Sequence, residues 1–205
     1  MEIAYSNDLN NSYFSKYNFI GFIGEINDLK TIIKDINYSY IKPNYKVKKF
    51  ITINDEYLKI LGLDINILKH RIKELSDTEI KLIKLIKICE MQPKLIVLNN
   101  FDLGFNYKEK SKISRFIKTI NAEYKTNFII ISNDSIFLNK NVKHVIISKN
   151  KIIKYQGDII NAIKQGFIEK PPIIKFIDLA NKSNAKLTYT LDNKELLKDI
   201  YRSVF

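Results

Sequence analysis

Three short, almost wholly apolar stretches constrain this chain more than anything else in it: Phe19-Ile-Gly-Phe-Ile23, Leu95-Ile-Val-Leu98 and Phe128-Ile-Ile-Ile131. A strand with one wet face alternates apolar and polar residues, whereas a strand covered on both faces reads as a continuous apolar run. The segments between these runs carry a helical period instead. Apolar positions recur at helical spacing after Lys30. Residues 76–90 set Ile80, Ile83 and Ile86 apart from a basic stripe of Lys81, Lys84 and Lys87, and Pro93 then stops the pattern. Residues 107–124 read as a further amphipathic helix. Doubly covered strands alternating with helices require a mostly parallel α/β sheet sandwiched by helices. A chain of 205 residues, 45% hydrophobic, can bury one such core.

Residues 45–53 have strand propensity, residues 57–61 form a helix stopped by Gly62, and residues 65–70 form a second short helix. Residues 142–147 and 152–155 flank the polar turn Ser148-Lys-Asn-Lys151, as in a terminal antiparallel hairpin. Residues 159–165 continue as helix. Gly166 and Pro171-Pro172 then mark a boundary, giving a main unit over residues 1–165 and an extension over 166–205 with two helices. Asp192 with Glu195 suits the cap of the last one.

The formal charge of +12 attracts anions, whether nucleic acid, nucleotide or a membrane surface. Nearly all of it is lysine, with only Arg71, Arg115 and Arg202 as arginines, so the forked guanidinium pattern of specific base or phosphate readout is missing. The single Cys89 excludes a disulfide framework, and His70 and His144 lack metal-ligand spacing. No apolar run approaches the roughly 20 residues needed to span a bilayer, and Ser6, Asn7 and Asp8 stand where a signal segment would be apolar. Membrane association is therefore expected only through a partner.

Gly24-Glu-Ile-Asn-Asp-Leu-Lys30-Thr31 lies between a strand and a helix and fits the phosphate-loop pattern G-x-x-x-x-G-K-[ST], except that Leu29 replaces the second glycine. In such a loop backbone N–H groups wrap the phosphates, Lys30 supplies a cation and Thr31 a hydroxyl for Mg²⁺. Leu29 crowds that wrap and Asp28 adds unhelpful charge. Further along, Leu58-Lys-Ile-Leu-Gly-Leu-Asp64, Lys73-Glu-Leu-Ser-Asp-Thr-Glu79 and Met91-Gln-Pro-Lys-Leu-Ile-Val-Leu98 follow one another.

In order and spacing these blocks resemble the ABC-type ATPases, in which a signature loop opens a helix leading to the Walker B strand. The resemblance runs over about residues 19–165. It implies a P-loop NTPase fold with ATP and Mg²⁺ as cofactors, nucleotide-binding positions at Gly24, Asn27, Lys30 and Thr31, and a signature-like segment at Leu75, Ser76, Asp77, Thr78 and Glu79. Asn106 takes the D-loop position. Asn99 falls where the family carries its Mg²⁺-binding aspartate, Asn100 where it carries the catalytic glutamate, and Asn133 at the switch histidine. An amide brings no charge to a metal and takes no proton near neutral pH, so no catalytic position is intact. Asp77 and Thr78 replace the small signature glycines, and Ser76-x-x-Glu79 is equally a helix capping box. Asp102 and Asp134 sit off the matching positions and read as polar turns. The helical subdomain is shortened, with no glutamine between Thr31 and Leu75 for a Q-loop. Tyr5, Tyr13 and Phe14 are alternative adenine-stacking aromatics.

The tail, from Gly166-Phe-Ile-Glu-Lys-Pro-Pro to Thr190-Leu-Asp-Asn-Lys-Glu-Leu-Leu197, resembles the C-terminal extension of energy-coupling factor (ECF) transporter ATPases. That resemblance implies a heterodimer with a second ABC ATPase subunit, a transmembrane coupling protein, and a cytoplasmic position on the inner face of the membrane. The expectation is a pseudo-ATPase partner of an active subunit. A weak nucleotide sensor or slow ATPase is the alternative, and a basic nucleic-acid-binding protein is the alternative of another class, with no specific nucleic acid expected.

Overall fold

The computed structural model describes residues 3–7, 16–33, 37–38, 43–52 and 55–204. The three apolar runs become strands β2 (Phe19–Ile23), β4 (Leu95–Asn99) and β5 (Asn127–Ile131). With β1 (Ile3–Ser6), β3 (Asn37–Tyr38), β6 (His144–Lys149) and β7 (Ile152–Asp158) they form a seven-stranded sheet in the order β3-β1-β4-β5-β2-β6-β7. The four inner strands β4, β5, β2 and β6 are parallel, β1 and β7 run antiparallel to them, and β3 pairs antiparallel with β1 at the margin. β1 and β3 carried no strand signal in the sequence.

Strand pleating splits the apolar runs between two cores. Leu95, Val97, Ile129, Ile131, Ile20, Phe22 and Ile146 face one side, where helix α1 (Ile26–Ile32) lays down Leu29. Ile96, Leu98, Phe128, Ile130, Val145 and Ile147 face the other. That side is covered by α2 (Asp55–Leu61), α3 (Asp77–Glu90), α4 (Tyr107–Tyr124), α5 (Ser135–Asn141) and α6 (Ile159–Lys164). This double coverage is why the inner strands needed no polar face. The hairpin β6–β7 turns through Asn150 and Lys151, both left-handed at φ 55° and 61°, the two-residue geometry that matches strand twist.

The segment expected as a strand at 45–53 is different. Lys46 makes one bridge with Arg71, and Val47–Lys49 closes a 3₁₀ turn instead. The backbone of residues 43–47 is spent on the neighbouring short turns: Val47 N–H donates to His70 O, and Ile72 and Lys73 N–H donate to Tyr45 O and Pro43 O. Val47 is thereby fully buried, so packing against residues 70–73 overrides the local propensity. Residues 65–70 form a 3₁₀ helix (Ile65–Lys69).

After α6, helices α7 (Pro172–Lys182) and α8 (Asn193–Val204) join the larger core through Ile174, Ile177, Leu187 and Leu196. Asp192 caps α8 by accepting Lys194 N–H at 2.7 Å, while Glu195 accepts the Thr190 hydroxyl at 2.9 Å. No helix among the described residues is long and apolar enough to cross a membrane.

Candidate functional site

Open parallel sheets bind ligands beyond the carboxyl ends of their strands. In this chain Gly24, Asn99–Asn100, Asn133 and the β6–β7 turn all emerge at that one edge, because β4, β5, β2 and β6 run side by side in the same direction.

Beyond β2 the expected loop is almost absent, since α1 begins at Ile26, two residues after Gly24. Glu25 precedes the helix without a side-chain cap, and its carbonyl accepts Asp28 N–H at 2.9 Å and Leu29 N–H at 3.3 Å. Those are the donors a phosphate-binding turn would aim outward. Leu29 is 0% exposed, wedged into the core. The Asp28 side chain is also buried, where it accepts the Ser148 hydroxyl at 2.9 Å and Lys151 N–H at 3.1 Å. The phosphate-loop segment is thus latched to the β6–β7 turn. Asn27 and Lys30 are exposed on α1, with Lys30 Nζ 5.5 Å from the Tyr38 ring centroid. Thr31 belongs to α1, but its side chain falls outside the described residues.

Beyond β4, Asn99 pairs with Ile131, and Asn100, at φ +47°, donates its N–H to Ile131 O at 2.8 Å. Asparagine tolerates this left-handed backbone better than most side chains. Asn133, two residues past β5, is exposed. The structure therefore does bring the three asparagines to the ends of two adjacent strands. Among the described residues no group of three or more His, Cys, Asp or Glu side chains is placed to hold a metal ion.

Two further carboxylates at this edge, Asp102 and Asp134, are more than simple turn residues. Asp102 is 2% exposed. Asp134 caps α5, accepting Ile136 and Phe137 N–H, and also accepts Lys110 Nζ at 2.6 Å. Lys110 Nζ lies 3.9 Å from Asp102 Oδ2. Burial raises the Asp134 carboxyl, but the Lys110 ammonium and the two capping N–H groups outweigh it and hold the group below the usual aspartate value. Burial pulls the Lys81 ammonium down, opposed by Asp102 and Asp77. Nothing in the sequence spacing marked Lys110, which the first turn of α4 places within reach of both carboxylates.

Asn106 caps α4, exchanging bonds with Glu109 in a capping box. The signature-like segment is a capping box too. Ser76 Oγ accepts Glu79 N–H at 3.3 Å, and Glu79 Oε2 accepts Ser76 N–H at 2.8 Å. Leu75 is half-buried and ends the preceding 3₁₀ turn, Asp77 is exposed in the first turn of α3, and Thr78 lies beside Gly104. Lys81, one turn on, donates to Leu103 O, so the start of α3 is tied to the D-loop-like turn of its own chain. Ser76→Ala is expected to cost about 1 kcal/mol of stability by loss of the cap, seen as a fall of about 2–4 °C in Tm. Ser76→Asp, an equally good cap, is expected to keep it. Tyr5 lies in β1 against the larger core; Tyr13 and Phe14 lie outside the described residues.

No family model matches the chain. The zinc import ATP-binding protein of Anaplasma phagocytophilum is 28% identical over 130 residues, covering 55% of this chain and 52% of that protein. An energy-coupling factor transporter ATP-binding protein of Staphylococcus epidermidis is 22% identical over 173 residues, covering 81% of this chain and 59% of its own length. The chain spans between 28% and 59% of the length of curated relatives that it matches. Among solved structures, an ATP-binding subunit of an ABC transporter superposes with TM-score 0.57 at 9% identity, covering 88% of this chain and all of that one. A chain from the complex of an archaeal ribosomal stalk protein with an archaeal ribosome recycling factor gives TM-score 0.57 at 15% identity, covering 73% of this chain and 36% of that one. The fold is that of ABC ATPase domains, an α/β P-loop NTPase fold, and the curated relatives are ATP-binding subunits of ABC transporters.

Proposed function

We propose that this chain is a catalytically degenerate ATP-binding-type subunit of an ABC transporter of the energy-coupling factor kind, working beside an active ATPase subunit and a transmembrane coupling protein on the inner membrane face. One observation carries the degenerate part of this reading: the N–H groups of Asp28 and Leu29 close onto Glu25 O, so α1 has consumed the turn that would cradle a phosphate. The residues present do not fit a Mg²⁺-nucleotide. The carboxylate of Asp28 occupies the segment where an anion would approach, Leu29 fills the core, and Asn99 and Asn100 bring no charge to a metal. What the site retains is shape, the strand ends and helix starts of the fold.

Pairing is supported by the extension over residues 166–205, which we take as a separate functional unit. Phe176 and Leu179 on α7, and Leu197 and Tyr201 on α8, are exposed apolar side chains at helical spacing. A stable patch of that kind in a soluble helical hairpin wants a cover.

The purified chain is expected to hydrolyse no ATP above background, and copurification from membranes is expected to recover a second ABC ATPase and a polytopic protein. Robust turnover abolished by Lys30→Ala would overturn the degenerate assignment. Lys30 is an exposed cation on α1, which supports a second reading as a weak nucleotide sensor. Saturable binding of a fluorescent ATP analogue, lost in Lys30→Ala, would select that reading. Steeply salt-dependent binding of DNA or RNA would instead select the nucleic-acid reading.

A further inference from the structure

The structure assigns Lys110 a role as a resident counter-ion that clamps the turns after β4 and β5 together, at the place where this fold otherwise uses nucleotide and metal. Three observations converge on it. First, the ammonium reaches carboxylates from two different strand ends, Asp134 at 2.6 Å and Asp102 at 3.9 Å. Second, Asp102 is 2% exposed, and its Oδ1 meets no hydrogen-bond donor among the described residues. A carboxylate that deep is costly without a cation beside it, and among the described residues Lys110 is the cation in salt-bridge reach of it, with the Lys81 ammonium acting from farther off. Third, each anchored turn leads into a capped helix: Asp134 is the cap of α5, and Asn106, one turn before Lys110, is the cap of α4.

The consequence is mechanical. β4 and β5 already exchange hydrogen bonds up to the Asn100 N–H to Ile131 O contact. Past that point the ladder between them ends, and the Lys110 ammonium spans the two turns that carry Asp102 and Asp134. Such a tie needs no ligand, so the strand ends keep one geometry whether or not a nucleotide is offered. The inference concerns the isolated chain and stands apart from the transporter assignment, because its test needs neither ATP nor a partner.

Three variants of the purified full chain test it by thermal melting and amide hydrogen exchange. Asp134→Asn keeps the cap, because asparagine caps as well as aspartate, but removes the ion pair. It is expected to lower Tm by about 2–4 °C and to speed exchange after β4 and β5. Lys110→Met, which leaves two carboxylates facing each other, is expected to lose about 3–6 °C, discounted for the partial exposure of the pair. Adding Asp102→Asn to Lys110→Met is expected to recover more than half of that loss, because it removes the uncompensated charge while leaving the lysine side chain absent. A merely space-filling lysine would show no such recovery. Unchanged Tm and exchange in Asp134→Asn, or no recovery in the double variant, would overturn the clamp. Should Lys110→Met fail to fold, the Asp134→Asn result decides.

Discussion

Leu29→Gly, which completes the lettering of the phosphate-loop pattern, is expected to cost about 3–6 kcal/mol of stability and to gain no ATP binding. The leucine is fully buried on α1 against Ile20, Phe22, Ile129 and Ile146. Removing it deletes a whole core side chain, a change in the class of about 2–5 kcal/mol for leucine truncation. A glycine inside α1 adds roughly 1 kcal/mol of helix propensity. The backbone donors would remain committed, because the bonds from Asp28 and Leu29 N–H to Glu25 O do not depend on the side chain. A urea titration should show the midpoint shift, with Leu29→Met as the volume-conserving control losing less than about 1.5 kcal/mol. A folded Leu29→Gly that bound an ATP analogue would mean that the helix start can revert to a phosphate loop.

Gly24→Ala is the second large effect, at about 2–4 kcal/mol. Gly24 sits at φ +153°, a conformation closed to side-chain-bearing residues at a cost of about 1–3 kcal/mol. A methyl group there would also lie 2.9 Å from Ser148 O and 3.1 Å from Phe22 Cε1. The first of those is backbone and cannot swing away. Gly166→Ala is a matched control, since that glycine also has positive φ, +79°, but a methyl would meet nothing within 4 Å. It is expected to lose only about 1 kcal/mol. Comparing the two melting curves separates the close approach from the backbone strain. The close approach of α1 and the β6–β7 turn around Asp28 and Ser148 is by itself enough to require this glycine.

Much of the frame was legible in the residues. Continuous apolar runs placed β2, β4 and β5, the Ser76 box placed the start of α3, the amphipathic period placed α4, and Gly62 placed the end of α2. The failures came where tertiary contacts outvote local preference. Residues 45–53 contain strand formers, yet the backbone bonds of Tyr45 and Val47 go to Ile72 and His70, which no window of sequence couples to them. β1 and β3 are short marginal strands with too few residues to carry a period. At the site, the uncharged amides of Asn99, Asn100 and Asn133 could be read directly, since side-chain chemistry travels with the letter.

The sequence by itself therefore determined the doubly covered sheet and the amide side chains at positions 99, 100 and 133, because both depend on residue type and short-range period. Only the tertiary structure decided that the phosphate-loop segment is helix from Ile26, latched through Asp28, and that Lys110 joins Asp102 to Asp134. Asp28 reaches residues 120 and 123 positions away, and Lys110 reaches one 24 positions away. Contacts across such spans are made by the packing of α1 and α4 over strand ends, and electrostatics and hydrogen bonding act on distance in space, which a chain's order of residues does not contain.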